Sequence, residues 1–137
     1  VTDDLFDLFE LQIWTADVDG QLDFVNAFTA DYLGVSRERL IGDGWQNVVH
    51  SADLPTAGER WMAAVRTGEP YVVDFRLLRA ADRAYRWHRA SARRTSTAEG
   101  LRWFGSNIDI DAARRAEEVV TAQRELEGDL PEDEPAG

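Results

Sequence analysis

Three alternating runs stand almost end to end in the second half of this chain: EPYVVDFRLLR, AYRWHRASARRT and LRWFGSNIDI. Each has the period-2 pattern and aromatic content of a strand, with residues 80–84 and 96–100 as connections. Two further strand-like runs lie within residues 13–26, flanking Asp19-Gly20, the strongest short hairpin signal present. Helical pieces fill the gap between these two groups, and one more helix follows the last strand. Strands segregated from helices in this way predict an α+β fold with an antiparallel sheet, not alternating βαβ units.

The helices have readable ends. DDLFDLFEL, residues 3–11, places Leu5, Leu8, Phe9 and Gln12 on one side at helical spacing and reads as a short amphipathic helix. Gly34 stops the first piece after the hairpin. Ser36 is a candidate cap for SRERLIG, with Gly42 as its stop. SADLPTAGERWMAAVRTG is the best internal helix: Asp53 is the candidate N-cap, Pro55 suits the first turn, Gly68 ends it, and Trp61, Ala64 and Val65 mark its buried stripe. From Asp111 a helix runs to about residue 127. The acidic, proline-bearing stretch after it, 128–137, reads as a disordered tail.

At 137 residues the chain most simply makes one domain with a real core. It has no cysteine, which removes disulfides, thiolate metal sites and cysteine chemistry. No apolar run approaches the roughly 20 residues of a membrane span, and no signal peptide is seen, so a cytoplasmic location is expected. A net charge of −11 repels phosphates and anionic lipid, arguing against nucleic acid or membrane contact.

The runs DVDGQLDFVN (17–26), LGVSRERLIG (33–42), VVHSADLP (48–55), FRLLR (75–79), YRWH (85–88) and WFGSNIDID (103–111) occur in an order and spacing that resemble the PAS family of sensory domains, of the PAS/PAC, fold-3-like type. The resemblance covers roughly residues 11–118. It implies a five-stranded antiparallel sheet in the order 2-1-5-4-3, with short helices enclosing a pocket on one face and flanking N- and C-terminal helices. It divides the chain into an N-terminal helix (1–11), the PAS domain (12–110), a C-terminal signalling helix (111–127) and the tail (128–137).

The resemblance also assigns roles. Strand four would point His88, Ala90 and Ala92 inward and Trp87 outward, since neighbours on a strand face opposite ways. The last strand would point Trp103, Gly105 and Asn107 inward. Phe75, Leu77, Tyr32 and Trp45 complete an aromatic pocket whose polar groups are His88 and Asn107, suited to a small, partly apolar ligand. The same residues could equally form a filled core. His50 opens HSADLP, where the family has a proline at the position of Ser51, and is expected to make local hydrogen bonds at the helix start.

The family's last strand ends in an Asp-Ile-Thr-like triplet that couples the sheet to output. Here it is Asp109-Ile110-Asp111, with Asp109 expected to pair with an arginine and Asp111 to cap the exit helix. Ala112, Ala116, Val119, Gln123 and Leu126 follow heptad spacing, consistent with a parallel homodimer or with an ordinary amphipathic helix. The implied function is a non-enzymatic sensory and dimerisation module, in a signal-transduction protein with a histidine kinase, diguanylate cyclase or transcription-regulator output. The ligand or cofactor is unknown. Covalent flavin chemistry is argued against by Trp45 at the cysteine position, a thioester chromophore by the lack of cysteine, and family-type haem ligation by the lack of histidine in the long helix. Two other readings stay open: a structural dimerisation module with a filled core, and a small α+β cone enzyme of ketosteroid-isomerase type using an Asp–His pair. Two strands ahead of the helices fit the enzyme poorly.

Overall fold

The computed structural model describes residues 2–129. Its strands are β1 (Gln12–Ala16), β2 (Leu22–Val25), β3 (Tyr71–Arg79), β4 (Ala84–Thr97) and β5 (Gly100–Asp109). They form one antiparallel sheet in the order β2-β1-β5-β4-β3, with the hairpin strands and the last three strands meeting along β1–β5. Helices α1 (Thr2–Phe6), α2 (Ala27–Leu33), α3 (Arg37–Leu40), α4 (Leu54–Thr67) and α5 (Asp111–Asp129) surround it, with a 3-10 turn at Gly44–Val48. The α+β architecture is the one that the sequence predicts.

Strand alternation sorts the sheet into two faces. Trp14, Trp103, Tyr71, Val73, Phe75, Ala90 and Ala92 point to the side covered by α2–α4, where the core lies. Trp61 of α4 sits at its centre, with ring centroids 5.5 Å from Trp14, 5.0 Å from Tyr71 and 5.1 Å from Trp103, all edge-on. Such pairs add about 0.5–1.5 kcal/mol each beyond their buried area. Gly105 makes room for the first of them: the Trp14 indole lies across it, and a Cβ there would stand 2.3 Å from Trp14 Cζ2.

The hairpin is longer than a two-residue Asp-Gly turn. Paired strands end at Ala16 and resume at Leu22, and the Asp17 carboxylate accepts the amides of Asp19 and Gln21. That side-chain bond organises the whole loop, so Gly20, at φ +88°, is one part of a five-residue connection. The sheet edges are partly closed by single bridges, Leu22 to Gly42 and Val49 to Leu77.

The first helix departs from its expected form. It stops at Phe6, and Leu5, Leu8 and Phe9 are exposed. The anchoring residue is Phe6, whose ring approaches Phe24 and Phe104 on the outer sheet face at 6.1 and 6.4 Å. The following segment is held instead by Asn26, fully buried, whose Nδ2 donates to the carbonyls of Phe6 and Leu11 while its Oδ1 accepts the amides of Ile13 and Thr29. Asn26 thereby caps α2 and ties four elements together.

Ser36 and Asp53 occupy N-cap positions but make no capping bond through their side chains. Asp53 is drawn away by Arg76, which it grips with both oxygens at 2.9 Å while also accepting the Arg76 amide. A bidentate charge-assisted pair outcompetes one amide of a helix end. The exit helix reaches Asp129; residues 130–137, most of the expected tail, lie outside the described residues.

Candidate functional site

Between the sheet and helices α2–α4 lies a cavity of about 60 Å³. Sheet residues supply one wall, including Trp14, Phe75, Leu77, Ala90 and Asn107. Helices supply the other, with Thr29 and Leu33 from α2, Leu40 from α3, Trp45 and Val48 from the 3-10 turn and Trp61 from α4. No charged side chain lines it. Two of its polar groups bond within the protein: Trp14 Nε1 donates to Asn107 Oδ1 and Asn107 Nδ2 donates to Gln12 Oε1, each at 3.1 Å.

Of the pocket residues expected from sequence, Phe75, Leu77, Trp45 and Asn107 face this cavity, while His88, Trp103 and Tyr32 do not. Trp103 is fully buried, its ring packed edge-on against Trp61. His88 lies one strand pair away, and Tyr32 of α2 packs against it. Ala90 pairs with Asn107 across β4–β5 and both line the cavity; the next pair facing the same side, His88 with Asp109, belongs to a second cluster at the root of α5. Trp14, Thr29, Leu33 and Leu40 were missed, because only tertiary packing decides which apolar residues border a void.

That second cluster joins α2, β4 and β5. Tyr32 donates its hydroxyl to Asp109 at 2.9 Å and sets its ring edge-on to His88, centroids 5.3 Å apart. Arg86 donates to Asp109 at 2.6 Å and stands 3.7 Å from Asp111. Desolvation works to raise the Asp109 pKa, but bonds from Arg86, the Asp111 amide and Tyr32 outweigh it and hold it at about 2. Burial, and then the neighbouring Asp109, push the Tyr32 phenol well above its ordinary range.

His88 is fully buried. Its Nδ1 lies 2.8 Å from the Arg86 carbonyl, which can only accept, so Nδ1 carries the proton of a neutral ring. Nε2 has no partner among the described residues. Burial pushes the His88 pKa down, outweighing the Arg86 carbonyl and the nearby carboxylates, because a second N–H would have nothing to donate to.

The expected pairing of Asp109 with an arginine is the contact with Arg86; the capping role divides differently. Asp109 Oδ1 accepts the Asp111 amide, the first of α5, at 2.9 Å. Asp111, 3% exposed, turns away from the helix amides and accepts the Trp87 amide of β4 at 3.1 Å, while Ile110 donates to the Trp87 carbonyl at 2.8 Å. The carboxylate thus prolongs the β4–β5 ladder into the helix, which is why Asp111 sits inward. Arg114 completes the root: its guanidinium lies 3.8 Å from the Trp87 ring centroid and 3.5 Å from Asp74. Along the same helix, Ala112, Ala116, Val119, Gln123 and Leu126 are all exposed.

His50 accepts the Ala52 amide at Nδ1 and packs its ring 4.7 Å from Tyr85. Among the described residues no group of His, Asp and Glu is placed to hold a metal ion, and no helix is long and apolar enough to cross a membrane.

A sheet in the order 2-1-5-4-3, a cavity beneath short helices and an exit helix rooted in the last strand define a sensory-domain architecture. The chain belongs to the PAS fold family, whose model matches residues 22–104. It is 35% identical over 109 residues, 78% of the chain, to the uncharacterized protein y4lL of Sinorhizobium fredii (strain NBRC 101917 / NGR234), and spans 13% of that relative's length. Among solved structures it resembles an RNA-binding light-oxygen-voltage receptor (TM-score 0.72, 16% identity, 86% of this chain and 35% of that one). It also resembles a sensory box histidine kinase/response regulator from Burkholderia thailandensis E264 (TM-score 0.64, 16% identity, 88% and 92%). As a PAS domain the chain has the general sensory and signalling role of that family.

Proposed function

We propose that this domain senses occupancy of the cavity and passes it to an attached output domain through α5. The observation that carries this reading is the double duty of α2. The helix borders the cavity with Thr29 and Leu33 and holds Asp109 with Tyr32. An occupant that shifts α2 therefore loads the bond that orients the root of α5. The two sites are also successive inward-facing pairs on β4 and β5, about 7 Å apart along the strands. Occupancy biases α5 only to the extent that a ligand binds the two arrangements with different affinity.

The exposed seam Ala112, Ala116, Val119, Gln123 and Leu126 fits a second copy of the helix, making the working form a parallel homodimer. The output is a kinase, cyclase or transcription regulator carried on the same polypeptide, in keeping with the histidine kinase relative. Tyr32→Phe removes the link while keeping the ring. Fused to its output domain, this variant should bind a cavity ligand with unchanged affinity yet lose most of the ligand response; an unchanged response would refute the coupling. A filled-core dimerisation module is the second reading, favoured by the small volume of the cavity.

A further inference from the structure

Taking the cavity as the sensing site, we infer that its ligand is a small, uncharged, mostly apolar molecule of a few heavy atoms with at most one polar group, and not a nucleotide, flavin, haem or carboxylate. Size sets the first limit. A cavity of about 60 Å³ is well below the roughly 300–1,000 Å³ of a drug-sized or cofactor pocket. It is also below the roughly 150 Å³ that accommodates benzene. Charge sets the second. None of the lining residues is ionisable in the ordinary pH range, since the one phenol present, Tyr71, has its pKa raised by burial. A carboxylate or ammonium entering here would lose its hydration with no counter-charge to replace it.

Polar satisfaction sets the third limit. Thr29 Oγ1 donates to Asn26, Tyr71 donates to the Ala57 carbonyl at 3.2 Å, and Trp61 Nε1 donates to the Gly20 carbonyl at 2.9 Å. Asn107 is different. Its oxygen takes the Trp14 indole and one amide hydrogen goes to Gln12, which leaves the second amide hydrogen and a lone pair. Asn107 is therefore the anchor for one hydroxyl or carbonyl group, and the aromatic and aliphatic wall takes the rest. A ligand of about four heavy atoms, at the affinity ceiling of the best ligands of that size, binds with a Kd of roughly 50 µM or weaker.

The test uses the whole 137-residue chain and three probes: xenon, 1-propanol and propionate, the last having the same three carbons as propanol with one more oxygen and a charge. Amide resonances of Val25, Leu33 and Ala90 should shift saturably with xenon and with 1-propanol, and propionate at equal concentration should leave them in place. Propionate binding as well as propanol, or no response to either neutral probe, overturns the inference. Ala90→Val, which narrows the cavity, should weaken propanol binding at least fivefold; if that variant does not fold, Val25→Ile takes its place. Undiminished binding in a folded narrowing variant places the ligand elsewhere and also overturns the inference. Saturable shifts that stay within the cavity and never reach Asp109, Asp111 or Arg114 would uphold the ligand class while refuting the coupling to α5.

Discussion

A methyl group added at position 105 has nowhere to go, because the Trp14 indole already occupies the space above the glycine. Gly105→Ala should lower stability by about 1–3 kcal/mol, the usual toll of overpacking a filled core, read as a reduced urea midpoint with unchanged slope. The charge state of His88 predicts a second residue-scale effect. The unfolded imidazole titrates near its ordinary value of about 6.5, whereas burial holds the folded one lower. Above that value both states are neutral and pH has no influence through this group. As pH falls below it, the unfolded chain takes up a proton that the folded chain refuses, and stability drops by at most about 1.4 kcal/mol per pH unit until the folded pKa is passed. Urea midpoints at pH 7.5 and 5.5 should therefore diverge more in the native protein than in His88→Gln.

At the scale of elements, α5 depends on its first turn. Asp111 is buried and Arg114 half-buried, fixed through the Trp87 backbone and ring, while the other described side chains of the helix are exposed. Arg114→Ala removes a cation–π contact worth about 0.5–2 kcal/mol and should speed amide exchange across residues 112–120 while the sheet stays protected. How much of this was legible depended on the kind of signal. Strand alternation and the glycines that end α2 and α4 at positive φ follow from local rules, whereas the strand order and the choice of His88, Ala90, Ala92, Trp103 and Asn107 as the inward set came from the resemblance. Caps failed where a stronger partner competed: Asp53 answers to Arg76, and Asp111 to Trp87 and Arg115. The helical spacing of residues 3–11 misled because the short helix is fastened by Phe6 and Asn26. The boundary of the cavity was illegible beyond Phe75, Leu77, Trp45 and Asn107, since placing His88 and Tyr32 one strand pair away requires knowing how α2 lies across the sheet.

For the whole molecule, the exit helix stands bare beyond its root. Val119 and Leu126 stand 66% and 68% exposed on α5, an arrangement that a second helix would relieve. Introducing glutamate at both positions should convert a dimer into a monomer in sedimentation equilibrium without altering the circular dichroism of the sheet; a native chain already monomeric at millimolar concentration would contradict the proposed assembly. The geometry of α5 adds a mechanical consequence. Nineteen helical residues make a rod of roughly 28 Å, pinned at one end by a patch only one turn long. Pivoting that rod by about ten degrees carries its far end through roughly 5 Å, close to the pitch of a helical turn. The root is thus the short arm of a lever, and displacements too small to disturb the packing of the sheet become, at the tip, as large as a change of helical register.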